Sequence, residues 1–251
     1  MIPLIKVEQE VGNICRFIKK VLQKNKHEKV ILGLSGGIDS AVCLYLLQQV
    51  VSPKNIFVVH SYYSKDHLKD VQELLKQTQI PSENINLISI KPLVAKFTKT
   101  LKITGKIRLG NIMARVRMIL LYDLAKKEKA LVCGTENKSE HYLGYFTRFG
   151  DAASDFEPIQ HLYKTQVYEL AKYLKIPEKI IAKPPTAGLW KNQTDEEELG
   201  FTYHEADQVI QLYFEQKKTV KEITALGFSN ASDIIKKIHS NHFKHEVPYT
   251  L

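Results

Sequence analysis

Apolar residues recur along the chain with the spacings of alternating helices and strands. Residues 4–25 carry apolar side chains three or four positions apart, a period that predicts an amphipathic first helix. Residues 29–34 form a short apolar run, which predicts a buried strand. Residues 38–51 are apolar on nearly every side, as expected of a helix that packs on a sheet.

The same alternation continues through the middle of the chain. Further strands are predicted at 55–60, 84–90 and 130–133, and further helices at 66–77, 108–129 and 164–174. Strands that alternate with helices form parallel βαβ units, and right-handed crossovers then cover both faces of the sheet. The predicted fold class is therefore α/β, a doubly wound, mostly parallel sheet of Rossmann-like type with helices on both faces.

Three polar segments follow predicted strands directly, at residues 35–40, 60–63 and 134–140. Ligands of open parallel sheets bind beyond the carboxyl ends of the strands. We therefore expect these three segments to converge on one crevice.

The pattern changes in the last third of the chain. Residues 183–200 contain two adjacent prolines, a glycine and an acidic run, which together predict a mobile loop. Residues 201–245 are predicted to be mostly helical. We expect one domain over residues 1–251, in which an α/β core of about 1–182 precedes the loop and a helical C-terminal part.

Composition favours a cytoplasmic protein with no membrane partner. Apolar residues make up 44% of the chain and charged residues 25%, which is ordinary for a soluble globular protein. No apolar run approaches the roughly 20 residues that span a bilayer. The three cysteines are far apart and lack a CxxC pair, so neither a disulfide framework nor a zinc cluster is indicated.

The net charge of +9 suits a nucleic-acid partner, a phosphorylated substrate or solubility alone. Five of the 36 basic residues are arginines, and four of these five lie between positions 108 and 148. Arginine presents a planar pair of donors to phosphate or carboxylate. The arginine cluster therefore indicates a local anion site rather than a basic stripe.

The segment after the first predicted strand has the sequence SGGIDS over residues 35–40. Adjacent glycines let the backbone approach a ligand closely, and amides that lead into a helix bind anions. The two serines add hydroxyl donors, and Asp39 supplies an oxygen ligand suited to Mg²⁺. The segment lacks the lysine of the Walker motif, which argues against the usual P-loop γ-phosphoryl transfer.

This segment resembles the SGGxDS signature of ATP pyrophosphatases of the adenine-nucleotide α-hydrolase type. Four further segments follow in order: GNIMARVRM at 110–118, GTENKSE at 134–140, YFTRFGD at 145–151 and PTAGL at 185–189. Together they resemble the ammonia-dependent NAD synthetases over essentially the whole chain. The resemblance implies ATP-driven amidation of deamido-NAD (nicotinic acid adenine dinucleotide) to NAD through an adenylated carboxylate, with release of AMP and pyrophosphate.

The resemblance also implies roles for particular residues. ATP would contact Gly33, Leu34, Ser35, Gly36, Gly37, Ile38, Asp39, Ser40, Arg117, Thr135, Lys164 and Thr186. Deamido-NAD would contact Arg115, Tyr145, Arg148, Asp155, Phe243 and Lys244. Mg²⁺ would bind Asp39 and Glu140, and the catalytic residues would be Asp39, Asp151, Lys164 and Thr186.

These roles fit the chemistry of adenylation, which builds negative charge on the α-phosphorus and on departing pyrophosphate. Asp151 is the candidate for assisting proton loss from ammonia. Arg115 and Arg117 are two positions apart on a predicted helix and cannot share one face. The chain departs from the family pattern at three places: Arg148 stands where lysine is usual, residues 61–65 are richer in aromatic residues than usual, and Phe243 stands where histidine is usual.

Two rival functions remain open at this point. A tRNA-modifying ATP pyrophosphatase suits the positive charge, but Cys43 and Cys133 are predicted to be buried, where thiols are usually inert. A nucleic-acid-binding protein would use residues 217–239, part of which scans like a helix-turn-helix. That segment offers lysines for phosphates but no arginine, asparagine or glutamine cluster for base edges, so we expect a packing hairpin.

The resemblance implies a homodimer with deamido-NAD bound across the interface. The first helix and the 110–125 helix are its expected contacts. The chain has no room for a glutaminase domain, so we expect ammonia from solution or from a separate partner.

Overall fold

A four-stranded parallel sheet forms the centre of the computed structural model, which describes residues 2, 5–65, 68–190, 193–246 and 248–250. In that part of the chain the strands are β1 (Lys29–Gly33), β2 (Ile56–Tyr62), β3 (Ile85–Ser89) and β4 (Ala130–Cys133). Their order in the sheet is β3–β2–β1–β4. The chain therefore moves outward from β1 to β3 and returns to place β4 on the other side of β1.

Helices connect and cover the strands. They are α1 (Val7–Asn25), α2 (Ile38–Gln48), α3 (Leu68–Leu75), α4 (Lys91–Thr100), α5 (Lys106–Glu128), α6 (Lys138–Leu143), α7 (Lys164–Tyr173), α8 (Glu178–Ile181), α9 (Asp195–Leu199), α10 (Tyr203–Ile210), α11 (Val220–Ala225) and α12 (Ala231–Asn241). A π-helical turn, Gln211–Glu215, extends α10, and a 3₁₀ turn, His242–Lys244, follows α12. Within the described residues no helix is both long and apolar enough to span a bilayer.

Both faces of the sheet are buried, because successive side chains of a strand point to opposite sides. Val30 and Leu32 of β1 belong to the large core that also contains α1, α2 and α7. Ile31, between them, packs on the other face with Val132 and Ala125, the last of these from α5. This arrangement confirms the predicted doubly wound α/β fold.

A second core gathers the C-terminal helices and recruits residues from the α/β part. Most of its buried members come from α10, α11 and α12, and they are joined by Leu143 of α6 and by Tyr163, Phe201 and Leu212. The segment 217–239 packs through Ile223 and Ile234, which are fully buried. It is therefore a packing hairpin, as expected, held by these two isoleucines, and Leu226 between its helices is exposed.

Asp207 of α10 connects the two cores and is itself fully buried. Its carboxylate accepts a very short hydrogen bond from Ser139 Oγ, and it accepts the amide of Thr165 at 3.0 Å and its hydroxyl at 2.8 Å. Ser139 belongs to α6 and Thr165 to the first turn of α7. The position of α7 relative to α6 thus depends on a residue of the C-terminal part.

Several predicted elements differ from the structure. The helix α4 was not predicted at all, although Pro92 near its start and apolar residues at helical spacing are its sequence signals. Residues 134–140 were expected to form a loop, but α6 begins within them at Lys138. The expected loop 183–200 contains α9, and its residues 191–192 lie outside the described part. The first two residues of the predicted helix 66–77 also lie outside it.

Candidate active site

A cavity of about 490 Å³ lies at the carboxyl ends of β1, β2 and β4. Its walls include residues 35–40 after β1, residues 60–64 at the end of β2, and Gly134, Thr135 and Glu140 after β4. It sits beside β1, where the order of the strands reverses. The predicted convergence of these segments is confirmed, and the volume is typical of a small-molecule site.

Residues 35–40 form a tight loop at the start of α2. Gly36 has a φ of +88°, a left-handed conformation that favours glycine. The Gly37 amide donates to Ser35 Oγ at 3.1 Å, and Ser40 Oγ donates to the Gly37 carbonyl at 3.0 Å. Because Gly37 has no side chain to cap α2, the amides of the first helical turn remain available to an anion.

The ammonium of Lys164 joins two carboxylates at the base of the cavity. Its Nζ lies 2.6 Å from Asp39 Oδ2 and 3.1 Å from Glu140 Oε1, and the residue is 2% exposed. Burial by itself would lower the pKa of Lys164, but the two carboxylates outweigh burial and raise it. Burial raises the pKa of Glu140, and the neighbouring Asp39 adds to that rise while Lys164 opposes it.

Hydrogen bonds to α6 and its N-cap position these three residues. Asn137 caps α6 by accepting the Glu140 amide at 3.0 Å, and its Nδ2 donates to Asp39 Oδ1 at 2.9 Å. At the first residue of α7, the Lys164 amide donates to Ser139 Oγ at 2.8 Å. The side chain of Asp39 and the backbones of Glu140 and Lys164 are thus held by side chains of α6 and its N-cap.

The segment that contains Thr186 lies against the cavity as a clasped loop. Asp195, which is 3% exposed, donates its amide to the Pro185 carbonyl and accepts the Ala187 amide, each at 2.9 Å. Thr186 lines the cavity, and its hydroxyl accepts the Gly188 amide at 3.0 Å. Thr186 therefore shapes a turn and faces the cavity at the same time.

Arg117 and Arg115 point to different places, as their spacing required. Arg117 lines the cavity, and its Nε donates to the Ser61 carbonyl at 3.0 Å. Burial lowers the pKa of Arg117. Arg115 instead donates to the Arg148 carbonyl at 3.2 Å and is not part of the cavity wall among the described residues.

Most of the residues that the sequence singled out line the cavity. They are Gly33, Leu34, Ser35, Gly36, Gly37, Ile38, Asp39, Ser40, Arg117, Thr135, Glu140, Tyr145, Asp151, Lys164, Thr186 and Lys244. The hydroxyl of Tyr145 donates to Glu198 Oε2 at 2.9 Å, which ties this ring to α9. Asp151 accepts the Thr147 amide at 3.0 Å.

Four predicted residues lie outside the cavity wall of the described structure: Arg115, Arg148, Asp155 and Phe243. Asp155 accepts the Val132 amide at 2.7 Å, a contact that joins it to β4. Two of the departures from the family pattern, Arg148 and Phe243, contact each other. Arg148 donates to the Phe243 carbonyl at 3.4 Å, and its guanidinium lies 5.5 Å from the centre of the Phe243 ring.

The donor set fits Mg²⁺ that enters together with phosphates. Mg²⁺ is usually bound by one or two carboxylates, substrate phosphates and water. Asp39 and Glu140 supply two hard oxygen donors beside the anion-binding loop 35–40. Across the part of the chain that the structure describes, no group of three or more His, Cys, Asp or Glu side chains is arranged to hold a metal ion.

The sequence missed residues that support the site. Asn137 and Asp207 act through hydrogen bonds to other site residues, and Asp195 was hidden within an acidic run. Glu157 lies behind Gly134, accepting the Glu136 amide at 3.0 Å and Ser154 Oγ at 2.7 Å. The signal for Asn137 was its spacing from Glu140, which matches a helix N-cap followed by an acid three residues later.

The fold and the loop 35–40 define a nucleotide-binding α/β protein of the SGGxDS type. The family model described as NAD synthase matches residues 10–248. The NH₃-dependent NAD⁺ synthetase of Fusobacterium nucleatum is 42% identical over 249 residues, covering 96% of this chain and 94% of the relative. That of Thermoplasma acidophilum is 40% identical over 247 residues and 97% of each chain.

Solved structures give the same result. The NMN synthetase of Francisella tularensis superimposes with a TM-score of 0.84 at 33% identity, over 99% of both chains. The NH₃-dependent NAD synthetase of Campylobacter jejuni superimposes with a TM-score of 0.82 at 30% identity, over 98% of this chain and 100% of the other. The chain belongs to the NAD synthase family.

Glu157 leads to a testable pH dependence of stability. Burial raises its pKa from 4.5 to about 8, so between these values the folded state holds a proton that the unfolded state has lost. The stabilisation is complete below about pH 4.5 and is lost as the pH rises through 8. We expect Glu157→Gln, which stays neutral, to remove a decline on the order of 2 kcal/mol, a value reduced for partial solvent contact.

The measurement is the free energy of unfolding in urea at pH 5 and pH 8 for the wild type and for Glu157→Gln. The difference between the two proteins isolates Glu157 from other carboxyls. Equal changes in both proteins over this interval would contradict the shifted pKa.

Proposed function

We propose that this protein catalyses the ATP-dependent amidation of deamido-NAD with ammonia, forming NAD, AMP and pyrophosphate. The observation that carries the proposal is the Asp39–Lys164–Glu140 group beside the loop 35–40, in a chain of the NAD synthase family. A phosphate-binding loop, a cation and two metal-binding carboxylates suit a reaction that transfers AMP and releases pyrophosphate.

The ATP phosphates would bind the loop 35–40 and the amides of the first turn of α2. Lys164 lies next to this loop through Asp39 and can donate to a phosphate oxygen. Thr135, Thr186 and Arg117 face the same cavity and would supply further donors. These groups stabilise the charge that develops on the α-phosphorus and on the leaving pyrophosphate.

Mg²⁺ would be held by Asp39 and Glu140 together with the phosphates of ATP. When bound, it would neutralise phosphate charge and polarise the phosphoryl oxygens. In the described structure the Lys164 ammonium binds both of these carboxylates. Lys164 would therefore leave at least one of them for a phosphate oxygen when metal and nucleotide enter.

The nicotinate of deamido-NAD would lie near Tyr145 and Asp151, which share the cavity with the ATP loop. The pKa of Asp151 is raised, because the surrounding protein desolvates its carboxylate. A carboxylate of raised pKa is a better proton acceptor for ammonium, which fits the role proposed for Asp151. Four of the expected deamido-NAD contacts lie outside the cavity wall: Arg115, Arg148, Asp155 and Phe243. We propose that they contact deamido-NAD that is bound across the interface with a second copy of the chain.

The rival functions have less support. Cys43 and Cys133 are buried free thiols, and burial raises the pKa of Cys43 further, which does not suit a catalytic cysteine pair. Free thiols fit the reducing cytoplasm, which we propose as the location.

The likeness to an NMN synthetase favours one second candidate, amidation of nicotinic acid mononucleotide.

The proposed reaction is tested by incubating the protein with ATP, Mg²⁺, ammonium and either deamido-NAD or nicotinic acid mononucleotide. We expect NAD, AMP and pyrophosphate in equal amounts, with deamido-NAD as the better acceptor. Asp39→Ala should lower the rate at least a hundredfold, because it removes a metal ligand and a partner of Lys164. Formation of ADP, or no dependence on a nicotinate acceptor, would rule out the proposal.

The contacts of Lys164 also predict how the metal binds. Without nucleotide, Mg²⁺ must compete with an ammonium for Asp39 and Glu140. We expect Lys164→Met to bind Mg²⁺ or Mn²⁺ roughly tenfold to a hundredfold more tightly, because a positive charge a few ångströms away is removed. In EDTA this variant should lose about 3 kcal/mol of stability, because two partly buried carboxylates are left without their cation.

Calorimetric titration with Mn²⁺ in the absence of nucleotide measures the metal affinity. Lys138→Met is the matched control, because Lys138 lies on α6 beside Glu140 but pairs with Glu215. It removes the same charge and should leave metal affinity within about twofold of the wild type. An unchanged or weaker affinity in Lys164→Met would contradict the competition.

We further propose that the protein is a homodimer. The apolar side chains of α1 are largely used inside its own core, where Ile14 and Ile18 are buried. In contrast, Leu93 and Phe97 of α4 and Leu101 directly after it lie at successive turns and are between 42% and 51% exposed. Such a contiguous apolar stripe favours contact with a second copy through α4 and the adjacent α5.

Light scattering tests this interface. We expect a dimer for the wild type and a monomer for Phe97→Glu, because the variant places a charge in the apolar stripe. Phe17→Glu, on the exposed side of α1, is the comparison for the contact first expected there. A monomeric wild type would refute the dimer, and dissociation by Phe17→Glu alone would move the interface to α1.

A further inference from the structure

Two distant parts of the cavity wall meet at one carboxylate oxygen. Glu198 Oε2 accepts the hydroxyl of Tyr145 at 2.9 Å and Gln193 Nε2 at 2.9 Å. Gln193 Oε1 in turn accepts the Leu189 amide at 2.9 Å. These three hydrogen bonds form a continuous bridge from Tyr145 to the loop 185–189.

The bridge runs along the cavity itself. Gln193 and Glu198 line the cavity wall, and Gln193 is 7% exposed. At one end, Thr186 of the loop is among the residues proposed for ATP. At the other end, Tyr145 lies where the nicotinate of the second substrate is proposed to bind. The bridge therefore joins the two substrate-facing parts of the wall.

The two ends of the bridge are held differently. Tyr145 lies just after α6, its amide donates to the Glu140 carbonyl at 2.9 Å, and its ring packs on the C-terminal core. The loop 185–189 is shaped instead by hydrogen bonds within its own segment, among them the Asp195 clasp. Burial raises the pKa of Tyr145, and the carboxylates of Asp195 and Glu198 add to the rise, so its hydroxyl remains a donor. The bridge thus fastens the loop to a wall that the core supports.

We propose that Glu198 is a positioning residue that couples the binding of ATP to the binding of the second substrate, by bridging Tyr145 to the loop 185–189. The identity of the two substrates rests on the proposed function, whereas the bridge rests on its hydrogen bonds. A nucleotide that contacts Thr186 orders the loop, and the bridge transmits that order to Tyr145. Each substrate then meets a wall that the other has already ordered, which makes binding cooperative and reciprocal.

Calorimetry measures the coupling. The nucleotide is an ATP analogue that carries a methylene group between the α- and β-phosphorus, so that no adenylate forms. We expect a saturating amount of this analogue to tighten deamido-NAD binding by about fivefold or more in the wild type. In Glu198→Ala and in Tyr145→Phe, which each break the bridge, the gain should fall to within about twofold of none.

Two further variants separate the bridge from charge and from the structure of the helix. Glu198→Gln should keep most of the coupling, because both hydrogen bonds end on one oxygen that the amide retains. Glu197→Ala is the matched control, because Glu197 is the exposed neighbour of Glu198 on α9 and is not among the described residues of the cavity wall. Wild-type coupling in Glu198→Ala, an equal loss in Glu197→Ala, or no coupling in the wild type would overturn the proposal.

Trp190 gives a readout that needs neither substrate. It is the single tryptophan of the chain, follows the loop directly and lines the cavity. Without nucleotide, acrylamide should quench its fluorescence more strongly in Glu198→Ala and Tyr145→Phe than in the wild type, because the loop is released. This increase supports the bridge even if the wild type binds no deamido-NAD, in which case the assignment of the second substrate is what fails. Unchanged quenching in both variants would show that no such bridge holds the loop.

Discussion

The buried ammonium of Lys164 is the contact on which the rest of the site depends. Two carboxylates that face each other in a protein interior repel, and removing them from water is costly. Lys164 makes their proximity possible, because it binds Asp39 and Glu140 at once. These residues come from three separate helices, α2, α6 and α7. Two ion pairs of one lysine therefore link the three helices around the loop 35–40.

The parallel sheet explains why the remaining groups reach the same place. Because the strands are parallel, their carboxyl ends lie at the same end of the sheet. The segments after β1, β2 and β4 therefore line one crevice. Other parts of the cavity wall come from elements that are far away in sequence. The loop around Thr186 is clasped by Asp195, and α12 closes another wall with Asn241 and Lys244. The sheet provides the floor, and the C-terminal part encloses it.

The sequence predicted the parts of this architecture that depend on local pattern. Three strands were found because each contains a short apolar run, and β3 because apolar residues recur among polar ones. The loop 35–40 was found because its glycines and hydroxyls are adjacent. The short helix α6 was missed because six residues are too few to show a helical period. The apolar residues of α4 have helical spacing, but several are exposed and do not mark a buried face.

Contacts between distant residues could not be predicted from the chain alone. Asp39 and Lys164 are 125 positions apart, and the pattern around each gives no sign of the other. The resemblance to a family implies that both residues contact ATP, but it does not show that they form an ion pair with each other. Lys237 belongs to the segment 217–239, whose lysines the sequence offers to nucleic-acid phosphates. Its place in the cavity wall depends on how α12 packs, which the sequence does not show. Arg148 and Phe243 were noted separately and proved to be neighbours.

The hydrogen bonds of Asp207 have a consequence for the order in which the chain is synthesised. Glu140 leaves the ribosome 24 residues before Lys164, and Thr165 leaves it 42 residues before Asp207. The phosphate-binding loop and both carboxylates therefore emerge while the acceptor that anchors the start of α7 is still missing. In a nascent chain that ends before Asp207, Lys164 lacks the contact that anchors the start of α7 beside the loop. The anchor of α7 is complete only once α10 packs against α6 and α7.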